Sequence, residues 1–428
     1  MTQKTLASLL LAFLLPAGAA AQDVTVIRAG TLIDGNGKAP IKNAVIVIRG
    51  DVIESVSSGT PSPEILRGAT LVDLSQSTVL PGLMDCHDHI MGTPGDGGDT
   101  QMLQESDADQ VLHGVKHARI TLEAGFTTIR NVGSGSFGDV SLRRAIARGD
   151  IVGPRIYGAG PGIGITGGHA DINGFRADLP LRGYAQIVDG VDDVLKAIRR
   201  QVKFGADLIK ITASGGVLSA GDSVHHEQYS EAELRAAIEE ATRLGRRVAA
   251  HAHAAKAIVA AARAGVASIE HGSFVDEEGI KAMKEKGTYM VPTLYTLDFI
   301  INEGKHSGVP QYAIDKAIEV SKVQRGNLKK AYQAGVKFAY GTDAAVFPHG
   351  RNAKDFAILV DQLGVPPMEA IQMATKAAAD LIGISDKAGT IEKGKWADLI
   401  AVSGDPLANI RLLEDVKFVM KGGVIFKK

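Results

Sequence analysis

Residues 80–90 read LPGLMDCHDHI. Pro81-Gly82 closes one segment, an apolar run with the pattern of a buried strand follows, and two histidines end it. Side chains alternate faces along a strand, so His87 and His89 point one way while Cys86 and Asp88 point the other. Two imidazoles aimed together from the C-terminal end of a strand can share a metal ion, which directs attention to the ends of the strands that follow.

Downstream, apolar runs alternate with helical patterns. Strands are predicted to end near MDCHDH, TTIRNVG, PRIYGAG, DLIKITASGG, RVAAHAH, ASIEHG, YMVPTL and KFAYGTDA, eight in all. Helical stretches such as SEAELRAAIEEATRLG and AAKAIVAAARAG separate them, each with glycine where a helix needs a left-handed stop. Repeated strand-helix units predict an α/β protein with a parallel sheet, and eight units predict a closed (β/α)8 TIM barrel, with a doubly wound open sheet as the alternative. The stretch GIGITG, residues 162–167, matches a dinucleotide-binding glycine pattern, but GHADINGF after it is no helix start. It reads as a flexible glycine-rich loop.

In a barrel the chemistry sits at the C-terminal ends of the strands. Found there are His87, His89, Lys210, His251, His271 and Asp343. Polar groups ending otherwise apolar strands need a common partner, and metal ions meet that need; an ion pair between Lys210 and Asp343 is the alternative for those two. His253 shares a strand face with His251, so alternation alone does not decide which of them is the ligand.

Upstream of residue 81 the chain reads as β-branched runs broken by turns, among them VTVIRAGTLID and NAVIVIRGDVIESV, and the tail repeats the style in WADLIAVSGD and VKFVMKGGVIF. Neither block has enough strands to stand alone, so the two ends are expected to meet in a small β-sandwich. The predicted organisation is a signal peptide over 1–21, sandwich over 22–80, barrel over 81–383 and sandwich again over 384–428. The leader MTQKTLASLLLAFLLPAGAAAQ carries one lysine, a short apolar core and an Ala-rich end, the pattern of export to the periplasm or medium. No later run is long enough to predict a membrane span. A net charge of −1 without a basic block argues against nucleic-acid binding. Cys86, the only cysteine, excludes an intrachain disulfide and reads as a buried thiol.

Taken together, LPGLMDCHDH, DLIKITASGGV, VAAHAH with SIEHGS, GTDA and AGTIEKGKWADLIAV resemble the metal-dependent amidohydrolase superfamily, most closely its imidazolonepropionase-like branch of prolidases and acyl-amino-acid carboxypeptidases, with ochratoxin-hydrolysing members. The resemblance spans nearly the whole chain after the leader. It implies two divalent metal ions, His87, His89 and Asp343 on one, His251 and His271 on the other, and Lys210 bridging them as N6-carboxylysine. Mixed nitrogen and oxygen ligation favours Zn²⁺. His169, Tyr229, His253, Arg130 and Arg351 are candidates for substrate contact, a bidentate arginine or a Tyr-His pair being suited to a carboxylate.

Two adjacent metal ions would supply hydroxide at neutral pH, and Asp343, as catalytic base, would relay its proton to the departing amine. The expected activity is hydrolysis of an amide or peptide bond beside a free carboxylate, on a dipeptide, N-acyl amino acid or ochratoxin-like amide, by a homo-oligomer. The rivals are a cyclic-amide or lactone hydrolase on the same site and a metal-free binding or scaffold protein.

Overall fold

A computed structural model describes residues 24–94, 104–181 and 183–428; the expected signal peptide lies outside the described residues. The β-branched runs form β1 (Val24–Leu32), β2 (Ile41–Arg49), β3 (Val52–Ser58) and the long β4 (Thr70–Pro81). Ten further strands follow: β5 (Leu83–Asp88), β6 (Phe126–Asn131), β7 (Arg155–Gly158), β8 (Ile163–Gly164), β9 (Gln186–Ile187), β10 (Leu208–Thr212), β11 (Arg247–Ala252), β12 (Ser268–His271), β13 (Tyr289–Val291) and β14 (Lys337–Phe338). The tail adds β15 (Leu399–Ser403), β16 (Phe418–Lys421) and β17 (Val424–Lys427).

The two chain ends meet in one hydrogen-bonded set of seven mixed strands, β17-β16-β15-β4-β1-β2-β3. The reason is β4. It pairs parallel with β1 from Thr70 to Val79 and antiparallel with β15 from Ser77 to Pro81, so a single strand welds the N-terminal and C-terminal blocks. A bulge at Gly30 interrupts the β1 register, and a Cβ there would lie 2.2 Å from the Ser75 carbonyl oxygen. Ile27, Ile46, Val72, Leu399 and Phe418 from both ends share one buried cluster.

The middle of the chain is α/β with parallel strands. Two ladders run β5-β6-β7 and β14-β13-β12-β11-β10-β8-β9. Residues 155–164 connect them, bonding β6 through β7 and β10 through β8. At the other end, Cys86 N–H donates to the Tyr340 carbonyl at 2.8 Å and Asp343 N–H to the His87 carbonyl at 2.6 Å, so the segment after β14 lies along β5. GIGITG therefore holds strand β8 where a flexible loop was expected, and no helix starts behind it.

Helices Val191–Phe204, Glu231–Arg243, Ala255–Ala264 and Glu277–Lys286 pack consecutively outside the strands. Ser230 and Glu233 form a capping box, and Gly205, Gly265 and Gly287 end their helices in left-handed conformation. The core, with Ile198, Ile209, Ile238, Ile258 and Ile269, lies between these helices and the strands. Among the described residues no helix is long and apolar enough to cross a membrane.

Candidate active site

Strand alternation explains how the site assembles. On β5, Met84 and Cys86 face an apolar cluster with Ala378 and Leu381, leaving Asp85 and His87 to face inward. On β10, Ile209 and Ile211 enter the main core while Lys210 and Thr212 line a cavity of about 460 Å³. The register places Thr212 beside His251 and Ala252 beside His271. His87, His89, Lys210, His251, His271 and Asp343 all line this one cavity.

Glu270 and His271 are consecutive, so alternation would send them to opposite faces, yet both serve the interior. The backbone resolves this with a left-handed φ of +70° at His271. Asp343 likewise sits at +65°. Non-glycine residues in that region cost on the order of 1–3 kcal/mol each and concentrate at functional sites.

Two imidazoles converge on one carboxylate oxygen: Nε2 of His87 and Nε2 of His89 each lie 3.4 Å from Asp343 Oδ1. The ligand-capable atoms of His87, His271 and Asp343 fall within 4.8 Å of one another, as do those of His251, His253 and His271. Burial alone would raise the Asp343 carboxyl, but His87, as charge and hydrogen-bond donor, with His271 and His89, holds it well below the ordinary carboxylate range. Burial pushes the Lys210 ammonium down to about 8, with Glu270 and Asp343 opposing. No hydrogen bond or ion pair holds Lys210 among the described residues, so the Lys210–Asp343 pair is absent there.

His251 Nε2 meets the Gly215 carbonyl at 3.3 Å, and four further histidines have Nδ1 fixed from behind. His87 Nδ1–H donates to Glu270 at 2.7 Å, His89 Nδ1–H to the Gly133 carbonyl at 3.1 Å, His271 Nδ1 meets Thr293 Oγ1 at 2.7 Å, and His253 Nδ1 meets Ser273 Oγ at 2.8 Å. Such contacts fix the ring orientations, as they do for histidines that ligate metals. Several neutral imidazoles, one ionised carboxylate and an unpaired buried lysine around one cavity are a donor set that fits borderline divalent metals.

The substrate-contact candidates divide. His169 lines the cavity. Arg130 does not: its guanidinium donates to the Cys86 carbonyl, Ser268 Oγ and, at 2.8 Å, Glu270, buried behind His87. Tyr229 spends its hydroxyl on the Ile163 carbonyl at 2.9 Å within the core. Arg351 pairs with Glu303 at 3.0 Å on the surface. His253 faces a smaller adjoining cavity of about 50 Å³. Sequence reading missed the Glu270–Arg130 support, and also Asp85, which accepts from the His87 and Thr342 N–H groups and from Asn352. A buried acid between the apolar Ile269 and the ligand candidate His271 was the one available signal.

The profile of the Amidohydrolase family matches residues 78–426. Ochratoxinase from Aspergillus niger is 35% identical over 434 residues, covering 94% of this chain and 87% of that protein. A solved Xaa-Pro dipeptidase with methionine bound in its active site superposes with a TM-score of 0.88 at 41% identity, covering 95% of this chain and 100% of the other. A prolidase solved with N-methylphosphonate-L-proline gives 0.87 at 33% identity, with coverage of 95% and 100%.

Proposed function

This chain belongs to the amidohydrolase family and is a hydrolase acting on C–N bonds, and from that premise we propose that it cleaves an amide or peptide bond beside a free carboxylate, using two divalent metal ions at the strand ends of a closed (β/α)8 barrel. Barrel closure is supported by the continuous backbone bonding through residues 155–164 and by the bonds from the segment after β14 to β5. The observation that carries the reading is the convergence of His87 and His89 on Asp343 Oδ1 in a cavity shared with Lys210, His251 and His271.

His87, His89 and Asp343 would hold one ion and His251 with His271 the other, with Lys210 between them as N6-carboxylysine; Zn²⁺ suits the donors best. When bound, such ions lower the pKa of water and polarise a carbonyl. The chain's own part is positional and acid-base. Glu270 and Gly133 fix His87 and His89 through Nδ1. Asp343 accepts the proton of the attacking water on its carboxylate and returns it to the departing nitrogen, because an amine leaves poorly unless protonated. The free carboxylate is supported by the amino acid in the dipeptidase relative's active site, and substrates like those of ochratoxinase fall in the same class. No arginine among the described residues lines the cavity to receive that anion.

The test is release of free amino acid from N-acyl amino acids and dipeptides by zinc-loaded protein. Turnover that chelation abolishes and zinc restores is expected. No release above the metal-stripped control across such a panel would overturn the reading.

A further inference from the structure

His169 lies between β8 and β9, lines the cavity, and stacks on His251 with 4.1 Å between ring centroids. Its surroundings decide which ring nitrogen carries hydrogen. The Asp222 carboxylate accepts from Lys316 Nζ at 2.7 Å, from Ser219 Oγ at 2.7 Å, from the Gly216 N–H at 3.1 Å and from Gln228 Nε2 at 3.4 Å. Its oxygens face donors in all four contacts, so the carboxylate is the acceptor throughout. Ser219 has one hydrogen to give. Turned toward His169, it would leave the Ser219 and Asp222 oxygens 2.7 Å apart with no hydrogen between them, so it goes to Asp222. In its 2.7 Å contact with His169 Nδ1, Ser219 Oγ is therefore the acceptor, and Nδ1 bears the hydrogen.

The frame around this relay is tightly fitted. A Cβ at Gly216 would lie 2.2 Å from His169 Nδ1 and Cε1, so only glycine admits the ring there. Lys316 also donates to the Gly216 and Ser219 carbonyls at 2.9 and 2.8 Å, fixing the loop that presents the hydroxyl. The backbone N–H of His169 donates to Gln228 Oε1 at 3.1 Å. With Nδ1 protonated, Nε2 of the neutral ring is a lone-pair acceptor, and it bonds to no described residue. His169 belongs to neither metal-capable cluster.

We infer that Ser219 and Asp222 are positioning residues that hold His169 as a hydrogen-bond acceptor for an N–H of the substrate at the scissile amide, so that secondary amides are selected over N-substituted, proline-type amides. The inference rests on the amide-hydrolase reading above. It reverses the role expected for His169 from sequence, where it was a candidate partner for the substrate carboxylate.

Two measurements test it. In zinc-loaded protein labelled with ¹⁵N-histidine, two-bond nitrogen-proton correlation at pH 7, assigned with His169→Asn, is expected to find Nδ1 protonated and Nε2 bare. Finding the Nε2–H tautomer or an imidazolium would overturn the inference whether or not any amide is cleaved. In kinetics, the kcat/KM ratio of an N-acyl-L-phenylalanine to its N-methyl amide counterpart is expected to fall roughly 3- to 10-fold in Ser219→Ala, the scale of one neutral hydrogen bond, and to return in Ser219→Thr. Intrinsic reactivity cancels in that comparison of ratios. A ratio unchanged in Ser219→Ala would also overturn it. Failure of wild-type protein to cleave any amide would instead overturn the proposed function, with the tautomer still deciding the relay.

Discussion

Replacing Glu270 with glutamine preserves shape and removes one buried charge. Glu270 is fully enclosed, accepts from His87 Nδ1 at 2.7 Å and from Arg130 Nη2 at 2.8 Å, and has its carboxyl held at about 2 against an ordinary 4.5. Burial alone would raise that value; Arg130 first, then His87, reverse the effect. At about 1.4 kcal/mol per pKa unit, the difference corresponds to about 3 kcal/mol of stability. Because the folded-state value is depressed, this contribution is complete above about pH 5 and is lost as pH falls toward 2. Glu270→Gln should therefore lower the melting temperature by several degrees at pH 7 and by progressively less in acid. His87 would also lose its anionic support, at a cost of roughly 10- to 100-fold in metal affinity. Arg130→Met, which strands the carboxylate, should cost about 3–5 kcal/mol. The double variant should be less destabilised than the sum of the singles, since neither charge is then left alone. Melting curves with and without chelator, together with a zinc-chelator titration, measure all three. Wild-type melting of Glu270→Gln, or strict additivity in the double variant, would refute the argument.

Lys210→Ala should lose most bound metal and nearly all turnover, with short carboxylic acids partly restoring activity; full zinc content and normal turnover would remove Lys210 from the site. Asp343→Asn, compared at matched metal occupancy, should bind substrate while amide hydrolysis falls by ~10²-fold or more, and an activated ester should lose less. Undiminished amide turnover there would end the proton-relay role. Arg351→Ala, paired with Glu303 away from the cavity, should leave kcat/KM within about 2-fold of wild type, as surface ion pairs contribute little; a large rise in KM would bring that loop to the substrate.

Strand periodicity carried much of this architecture. The six strand-terminal polar residues named from the sequence border one cavity because a parallel sheet delivers every strand's C-terminal end to the same side. Periodicity fails where the backbone departs from it: His271 reaches the interior only through its left-handed φ. It also fails for partners distant in sequence. Arg130 was read as substrate-facing because it ends a strand, but its partner Glu270 lies 140 residues away, with no local mark of the pairing. Tyr229 was misplaced for the same reason, its acceptor Ile163 lying on another strand. Nothing in the composition of β4 reveals that it pairs on both sides and so joins the two end blocks. His251 lines the cavity with the other five, whereas His253, though it shares a cluster with His251 and His271, faces the smaller adjoining cavity.

The most direct test of the two-metal account is anomalous diffraction at the zinc edge from crystals of zinc-loaded protein. The account predicts two zinc peaks, one bound by His87, His89 and Asp343 and one by His251 and His271, with density for a carboxylated Lys210 between them. An empty cavity, a single ion, or an unmodified lysine beside two fully ligated ions would contradict it.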